Sequence, residues 1–174
     1  MLVQQLSITY KCYSSIGNSL ILEEMLYEAL RTFVSETYAI YAVYYNEKNK
    51  KIVDFGKIDY FHVEEFKDYK DEVKVVEFSD RKVIIIPLEH GSIYLVSKCM
   101  DEDFTFFISM FESFIQKLNI SINACMNVEK IQTANYLLTK QKNELIQANK
   151  ARDDFLANMS HELKTPLNSI NVIS

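Results

Sequence analysis

Residues 73–97 read VKVVEFSDRKVIIIPLEHGSIYLVS. Three runs rich in β-branched and aromatic residues, Val73–Phe78, Lys82–Leu88 and Ser92–Ser97, are separated by SDR and EHG. This spacing predicts three consecutive strands joined by tight turns. Upstream, Tyr38–Tyr45 (YAIYAVYY) has the same character, NEKNKK reads as a polar turn, and Ile52–Ile58 returns as its hairpin partner. Residues 59–72 (DYFHVEEFKDYKDE) mix charge with single aromatics and form either a short helix or a surface crossing. Earlier still, Leu22, Met25, Leu26, Ala29, Leu30 and Phe33 recur at helical spacing. Asn18 or Ser19 caps this helix, which ends near residues 35–37. Helix, two strands, crossing and three strands specify an α+β module, a small antiparallel sheet with flanking helices.

The 174 residues are 48% hydrophobic and 25% charged. That composition excludes a disordered chain and bounds it to one domain of ordinary size, or a small domain plus an extension. A net charge of −5 with no basic half excludes nucleic acid as a partner. Cys12, Cys99 and Cys125 are far apart, show no metal-ligand spacing, and read as buried thiols in a reducing compartment. The longest apolar runs fall well short of the ~18 residues of a membrane span. The first residues, MLVQQLSITYK, carry no secretory signal, so the expected location is cytoplasmic. His62 and His90 stand alone and read as structural. Tyr38, Tyr41, Tyr44 and Tyr45 either line a ligand pocket or, as strand aromatics more often do, make core.

The element order and the SLILEEMLYEALRTF helix resemble a small GAF domain, with a PAS domain as the alternative. Both families are input modules that bind ligands or dimerise. The resemblance therefore implies a sensor over residues 1–100, with a small molecule of unstated identity as its ligand. The nucleotide- and bilin-binding residues of some GAF domains have no counterpart here.

Between Gly91 and Pro166 there is neither glycine nor proline, and Asp101–Thr165 is rich in helix formers. One very long helix, or two in close succession, is predicted. Asp101, Glu102 and Asp103 suit its solvated N-terminus, where the helix dipole favours acids. Ile108, Phe111, Ile115, Leu118, Ile122 and Cys125 step by threes and fours, as in a coiled-coil seam. After a phase disturbance at residues 128–134, Leu138, Gln141, Leu145, Ala148, Arg152 and Phe155 resume it, with Gln141 and Arg152 as polar interruptions. Some 60 residues of amphipathic helix are too many to cover with a 100-residue domain, so a homodimer through residues 101–152 is expected.

Residues 155–167 read FLANMSHELKTPL. This run resembles the H box of sensor histidine kinases of the HisKA class, over some 20 of the 174 residues. Residues 153–174 would then be the start of a HisKA dimerisation and phosphotransfer domain. The resemblance implies that His161 accepts the γ-phosphoryl group of ATP and passes it to an aspartate on the receiver domain of a response regulator. It implies an acid–base role for Glu162, and it makes Glu162–Thr165 similar to the ExxT motif used in dephosphorylation.

The residues make chemical sense by themselves. Leu156, Met159, Leu163, Pro166, Ile170 and Ile173 form an apolar stripe, and His161 lies about 200° round the helix from Met159 and Leu163. An imidazole has an ordinary pKa of about 6.5, so much of it is neutral at cellular pH, with a lone pair free for attack on phosphorus. Glu162 can hold the other ring nitrogen and take up its proton, and the Thr165 hydroxyl, one turn on, can orient a water. Asn158 is a further candidate for shaping this surface. Pro166 lacks an N–H and clashes with the carbonyl of Glu162, so a bend there is expected.

No phosphate-cradling loop can be built from three isolated glycines. ATP and Mg²⁺ are therefore cofactors of a full-length kinase, and this chain alone is expected to bind neither and to be inactive. The first reading is the input half of a two-component sensor histidine kinase. The alternative is a non-catalytic dimerisation or decoy protein that modulates a full-length kinase.

Overall fold

The computed structural model describes residues 1–173, with side chains through Ile170. The side chain of Ile173, the last stripe position, and Ser174, the end of the 153–174 segment, lie outside this description. The elements are α1 (Leu2–Ser14), α2 (Leu22–Glu36), β1 (Ala39–Asn46), β2 (Lys51–Gly56), a 3₁₀ turn (Val63–Phe66), β3 (Lys74–Phe78), β4 (Arg81–Leu88), β5 (Gly91–Ser97) and α3 (Thr105–Ile173). The α+β class and all five strands agree with the sequence reading. Residues 59–72 are a crossing that contains one 3₁₀ turn.

The sheet has the order β2-β1-β5-β4-β3, antiparallel throughout, with β5 returning between β1 and β4. Val83, Ile84, Ile85 and Ile86 of β4 are all buried, which explains why that strand lacks polar alternation. Its two faces enter two cores. Ala42, Tyr44, Ile84, Ile86, Ile93 and Leu95 join α1, α2 and the start of α3 in the larger one. Tyr41, Val43, Val83, Ile85, Tyr94 and Val96 meet Val63 and Phe66 of the crossing in the smaller. In the EHG turn, Gly91 has φ +153°, and a Cβ there would fall 2.1 Å from the Tyr45 carbonyl oxygen. Only glycine fits.

Four sequence expectations change. Helix α1 was not foreseen, because of its residues only Cys12 is buried. Helix α2 begins at Leu22 with Ile21 as its cap; Ser19 instead accepts the Ile21 N–H through Oγ at 3.1 Å, and Asn18 Nδ2 donates to the Ser14 carbonyl at 2.8 Å. Cys99 is exposed, in the connection that leaves β5, whereas Cys12 and Cys125 are buried as expected. Finally, Phe111, Leu118, Ile122 and Cys125 are core residues, so the first half of the expected seam is covered by α1, α2 and the sheet.

The chain divides into two units, Met1–Glu129 and Lys130–Ser174, and α3 contributes to both. The helix is continuous through residues 125–134. In the second unit every described side chain is exposed. No described helix is long and apolar enough to cross a membrane.

Candidate phosphoacceptor site

The second unit carries His161. Its helix is built from Glu, Lys, Gln, Leu and Ala, residues that lose little side-chain freedom on coiling. Leu156, Met159, Leu163, Leu167 and Ile170 are large apolar side chains, all exposed. His161 and Glu162 are exposed as well, and their positions place His161 on the opposite side of the helix from Met159 and Leu163. The ring is open to an incoming group from solvent.

Thr165 lies one turn on. Its hydroxyl donates to the His161 carbonyl oxygen at 3.3 Å, and Ser169 Oγ donates to the Thr165 carbonyl oxygen at 3.1 Å. Such back-bonds are typical of hydroxyl residues inside helices. They place the Thr165 proton on the backbone, and rotation about χ1 would release it towards solvent. Glu162 and Asn158 share no hydrogen bond with the imidazole among the described residues, so the ring is not held in one tautomer by either. Pro166 sits inside α3 and cannot donate to the Glu162 carbonyl, which leaves one rung of the ladder open beside His161.

The first unit holds a different kind of site. A cleft of about 660 Å³ opens beside β1 and β2, lined by Tyr41, Tyr45, Asp54, Lys57, Phe61 and Lys98 among others. Tyr41 donates its hydroxyl to Asp54 Oδ2 at 2.8 Å, and Lys51 Nζ reaches the same oxygen at 3.0 Å. Burial, and then the bond to Asp54, push the Tyr41 phenol well up. Burial acts to raise Asp54, yet the bonds from Lys51 and Tyr41 overcome it and hold the carboxyl below its usual range. Of the four tyrosines singled out, Tyr41 and Tyr45 line this cleft, Tyr44 is in the larger core and Tyr38 is exposed. Burial raises the Tyr44 phenol to about 12, and its hydroxyl donates to the His90 carbonyl at 2.8 Å.

His90 joins the β4–β5 turn to α3, with Nε2 2.8 Å from Asn123 Oδ1. His62 precedes the 3₁₀ turn. No group of three or more potential metal ligands occurs among the described residues. Beyond Tyr41 and Tyr45, the lining of the cleft was not legible in the sequence, because residues 57–61 meet β1 and β2 only in the folded sheet.

Comparison with known proteins gives one family match and three relatives. Residues 151–173 match the His Kinase A (phospho-acceptor) domain family. The sensor protein GacS of Pseudomonas syringae pv. syringae is 38% identical over 60 residues, 32% of this chain and 7% of the relative. The sensor histidine kinase GacS of Pseudomonas protegens is 46% identical over 44 residues, 25% of this chain and 5% of the relative. A non-motile and phage-resistance protein of Caulobacter vibrioides is 74% identical over 27 residues, 16% of this chain and 3% of the relative. The chain thus spans less than a tenth of the length of these relatives. The segment around His161 is thus similar to the phospho-acceptor domain of histidine kinases.

Proposed function

We propose that this chain is part of a two-component sensor histidine kinase and that His161 is its phosphoacceptor. The observation that carries the reading is an exposed histidine, opposite an apolar stripe, inside the 151–173 phospho-acceptor match. In the proposed step an imidazole nitrogen uses its lone pair to form an N–P bond with the γ-phosphorus of ATP. The bond from that phosphorus to the bridging oxygen breaks and ADP leaves. Glu162 takes the proton that the ring gives up on the other nitrogen. The phosphoryl group then passes to a carboxylate of a response-regulator receiver domain.

ATP and Mg²⁺ are held by a catalytic domain outside these 174 residues. Thr165 orients the water that later dephosphorylates the regulator, once its hydroxyl leaves the His161 carbonyl. Two copies pair through the exposed stripes of α3, in keeping with the dimeric habit of HisKA domains. Residues 1–100 act as the sensor, GAF-like with PAS-like as the alternative, and the cleft at Tyr41 and Asp54 is where a small ligand would be read. Residues 101–152 relay the signal to residues 153–174, in a cytoplasmic setting.

The test is to incubate the chain with a complete histidine kinase of this class and γ-labelled ATP. The expected product is an acid-labile, alkali-stable label that His161→Gln abolishes. Glu162→Gln should slow labelling by about a hundredfold or more, the usual size of a lost acid–base group. Label that persists in His161→Gln defeats the assignment. A chain that pairs with the kinase and takes no label is the decoy described above.

A further inference from the structure

Arg81 opens β4, and its side chain is only 9% exposed. A guanidinium is always charged and carries several N–H donors, so its burial calls for several acceptors. Arg81 has one. Nη1 donates to the Tyr60 carbonyl oxygen at 3.0 Å, while Nε is shut away from water and bonds to no described residue. Two carboxylates stand near without closing the gap. Asp80 Oδ1 is 3.5 Å from Nε and Asp59 Oδ2 is 3.9 Å from Nη2, and both acids are exposed and make no hydrogen bond to the guanidinium.

The surroundings of Arg81 connect it to the cleft beside β1 and β2. Val83 and Val96 pair across β4 and β5 in the smaller core, and the two-residue period of a strand puts Arg81 on that same face. Lys98, two residues after Val96, lines the cleft, as does Lys57, and neither is in an ion pair among the described residues. A gap of about 10 Å³, room for one water at most, lies beside Arg81 among Phe66, Phe78 and Val83. Tyr60 and Phe61 line both this gap and the cleft, so they are the wall between them. Residues 58–61 belong to no helix or strand, and the bond from Arg81 is the one hydrogen bond that their backbone makes among the described residues.

We infer that Arg81 anchors the carboxylate of a small organic acid, whose apolar body lies in the cleft between Tyr41, Tyr45 and Phe61. This rests on the reading of the cleft as the sensor's ligand site and names the chemistry of that ligand. The centre of the Tyr60 ring is 4.7 Å from the guanidinium carbon and covers one face of the group, so an acceptor approaches in its plane. There Nε and Nη2 form a fork that matches the two oxygens of a carboxylate. A neutral ligand would leave the buried charge as poorly paired as before, and an amine would meet Arg81, Lys57 and Lys98 as like charges. On entry Tyr60 and Phe61 swing aside and the acid becomes the partner of Arg81. Of the cleft's own acids, Asp54 is already bonded by Lys51 and Tyr41, and Asp59 moves with Tyr60.

The experiment titrates the whole nitrogen-15-labelled chain with 3-phenylpropanoate and octanoate, each beside its uncharged amide, and follows the Arg81 Nε–H and Phe61 amide signals. Both acids should move the Nε–H signal downfield and bind at least about tenfold more tightly than their amides. Arg81→Lys keeps the charge without the fork, and should cost the acids about tenfold while leaving the amides within about twofold. Lys98→Gln should cost the acids about threefold. Should Arg81→Lys lower the melting temperature, the Nε–H signal and Lys98→Gln decide by themselves. Acid and amide binding equally, with the Phe61 signal moving and the Nε–H signal still, overturns the inference and leaves the cleft a ligand site. Phenyl phosphate binding as tightly as the acids, in the native and Arg81→Lys chains alike, also overturns it, because a diffuse cationic mouth then does the binding. No movement of either signal with any probe overturns both the inference and the cleft as a ligand site.

Discussion

Two regions of α3 carry apolar residues at the same alternating steps of three and four, and they meet different surroundings. From Phe107 to Cys125 the stripe is inside the larger core, with Phe111 fully buried and its ring 5.0 Å from that of Phe33. From Ile131 to Ile170 the same kind of stripe faces solvent along its whole length. Periodicity fixes which face of a helix is apolar and says nothing about what covers it. The covering element in the first region is local to the unit. In the second, no described residue of the chain supplies it, and a partner helix is the natural complement.

The largest effect that separates the regions is on stability. Phe111→Ala should cost about 3–5 kcal/mol, since it empties a fully enclosed site. Leu145→Ala, at 63% exposure, should leave the unfolding of the first unit unchanged. Chemical denaturation followed by tyrosine fluorescence measures both. Equal losses would mean that the two stripes are covered alike.

A second difference is that only the exposed region contains a proline. Pro166→Ala supplies the missing N–H to the Glu162 carbonyl and removes a clash, a local gain of up to about 3 kcal/mol. Amide hydrogen exchange at residues 162–165 should slow accordingly. Exchange that does not change would show that the helix is no looser at Pro166 than elsewhere, and would end the expectation of a bend there.

The third prediction turns on the partner. Leu145→Asp puts a charge in the exposed stripe and should weaken self-association at least tenfold, about 1.4 kcal/mol, in sedimentation equilibrium. The first unit should keep its melting temperature. If association persists unchanged, the exposed stripe is not the seam.

Much of this division was legible in the residues and part was not. The strands announced themselves, because β-branched runs bounded by SDR, EHG and NEKNKK are local signals. The exposed position of His161 was legible too, since in FLANMSHELKTPL the histidine stands off the apolar stripe. Helix α1 was not, because Leu2, Leu6 and Tyr10 lie outside the core and blur the pattern that Ile8 and Cys12 make. The burial of Phe111 and Leu118 depends on α2 and the sheet, far away in sequence. The Thr165 back-bond is a rotamer choice, and no spacing rule encodes it.

Cys12 and Cys99 offer a smaller contrast of the same kind, one thiol enclosed and one in solvent. Burial, aided by Glu36 and opposed by Lys11, pushes the Cys12 thiol from 9.0 to about 12. A group raised in the folded state lends stability that is whole below its unfolded pKa and is lost as pH climbs towards the folded value. Unfolding free energies from urea melts at pH 8 and pH 10 should therefore differ by roughly 1 kcal/mol more in the native chain than in Cys12→Ala. Equal differences would mean that Cys12 is as open as Cys99.

Thr165→Ala carries the smallest structural effect and tests what an exposed helix face is for. The bond from Thr165 Oγ1 to the His161 carbonyl is long, exposed and duplicates a backbone rung, so its loss should change helix stability by less than about 0.5 kcal/mol. In a complete kinase carrying this segment, phosphorylation of His161 should continue while dephosphorylation of the regulator falls. Thr165→Ser keeps the hydroxyl and should retain both activities. If Thr165→Ala also stops phosphorylation of His161, the hydroxyl acts through the backbone geometry of His161, and the exposed face is then held by its own side chains in the way that the buried region is held by its core.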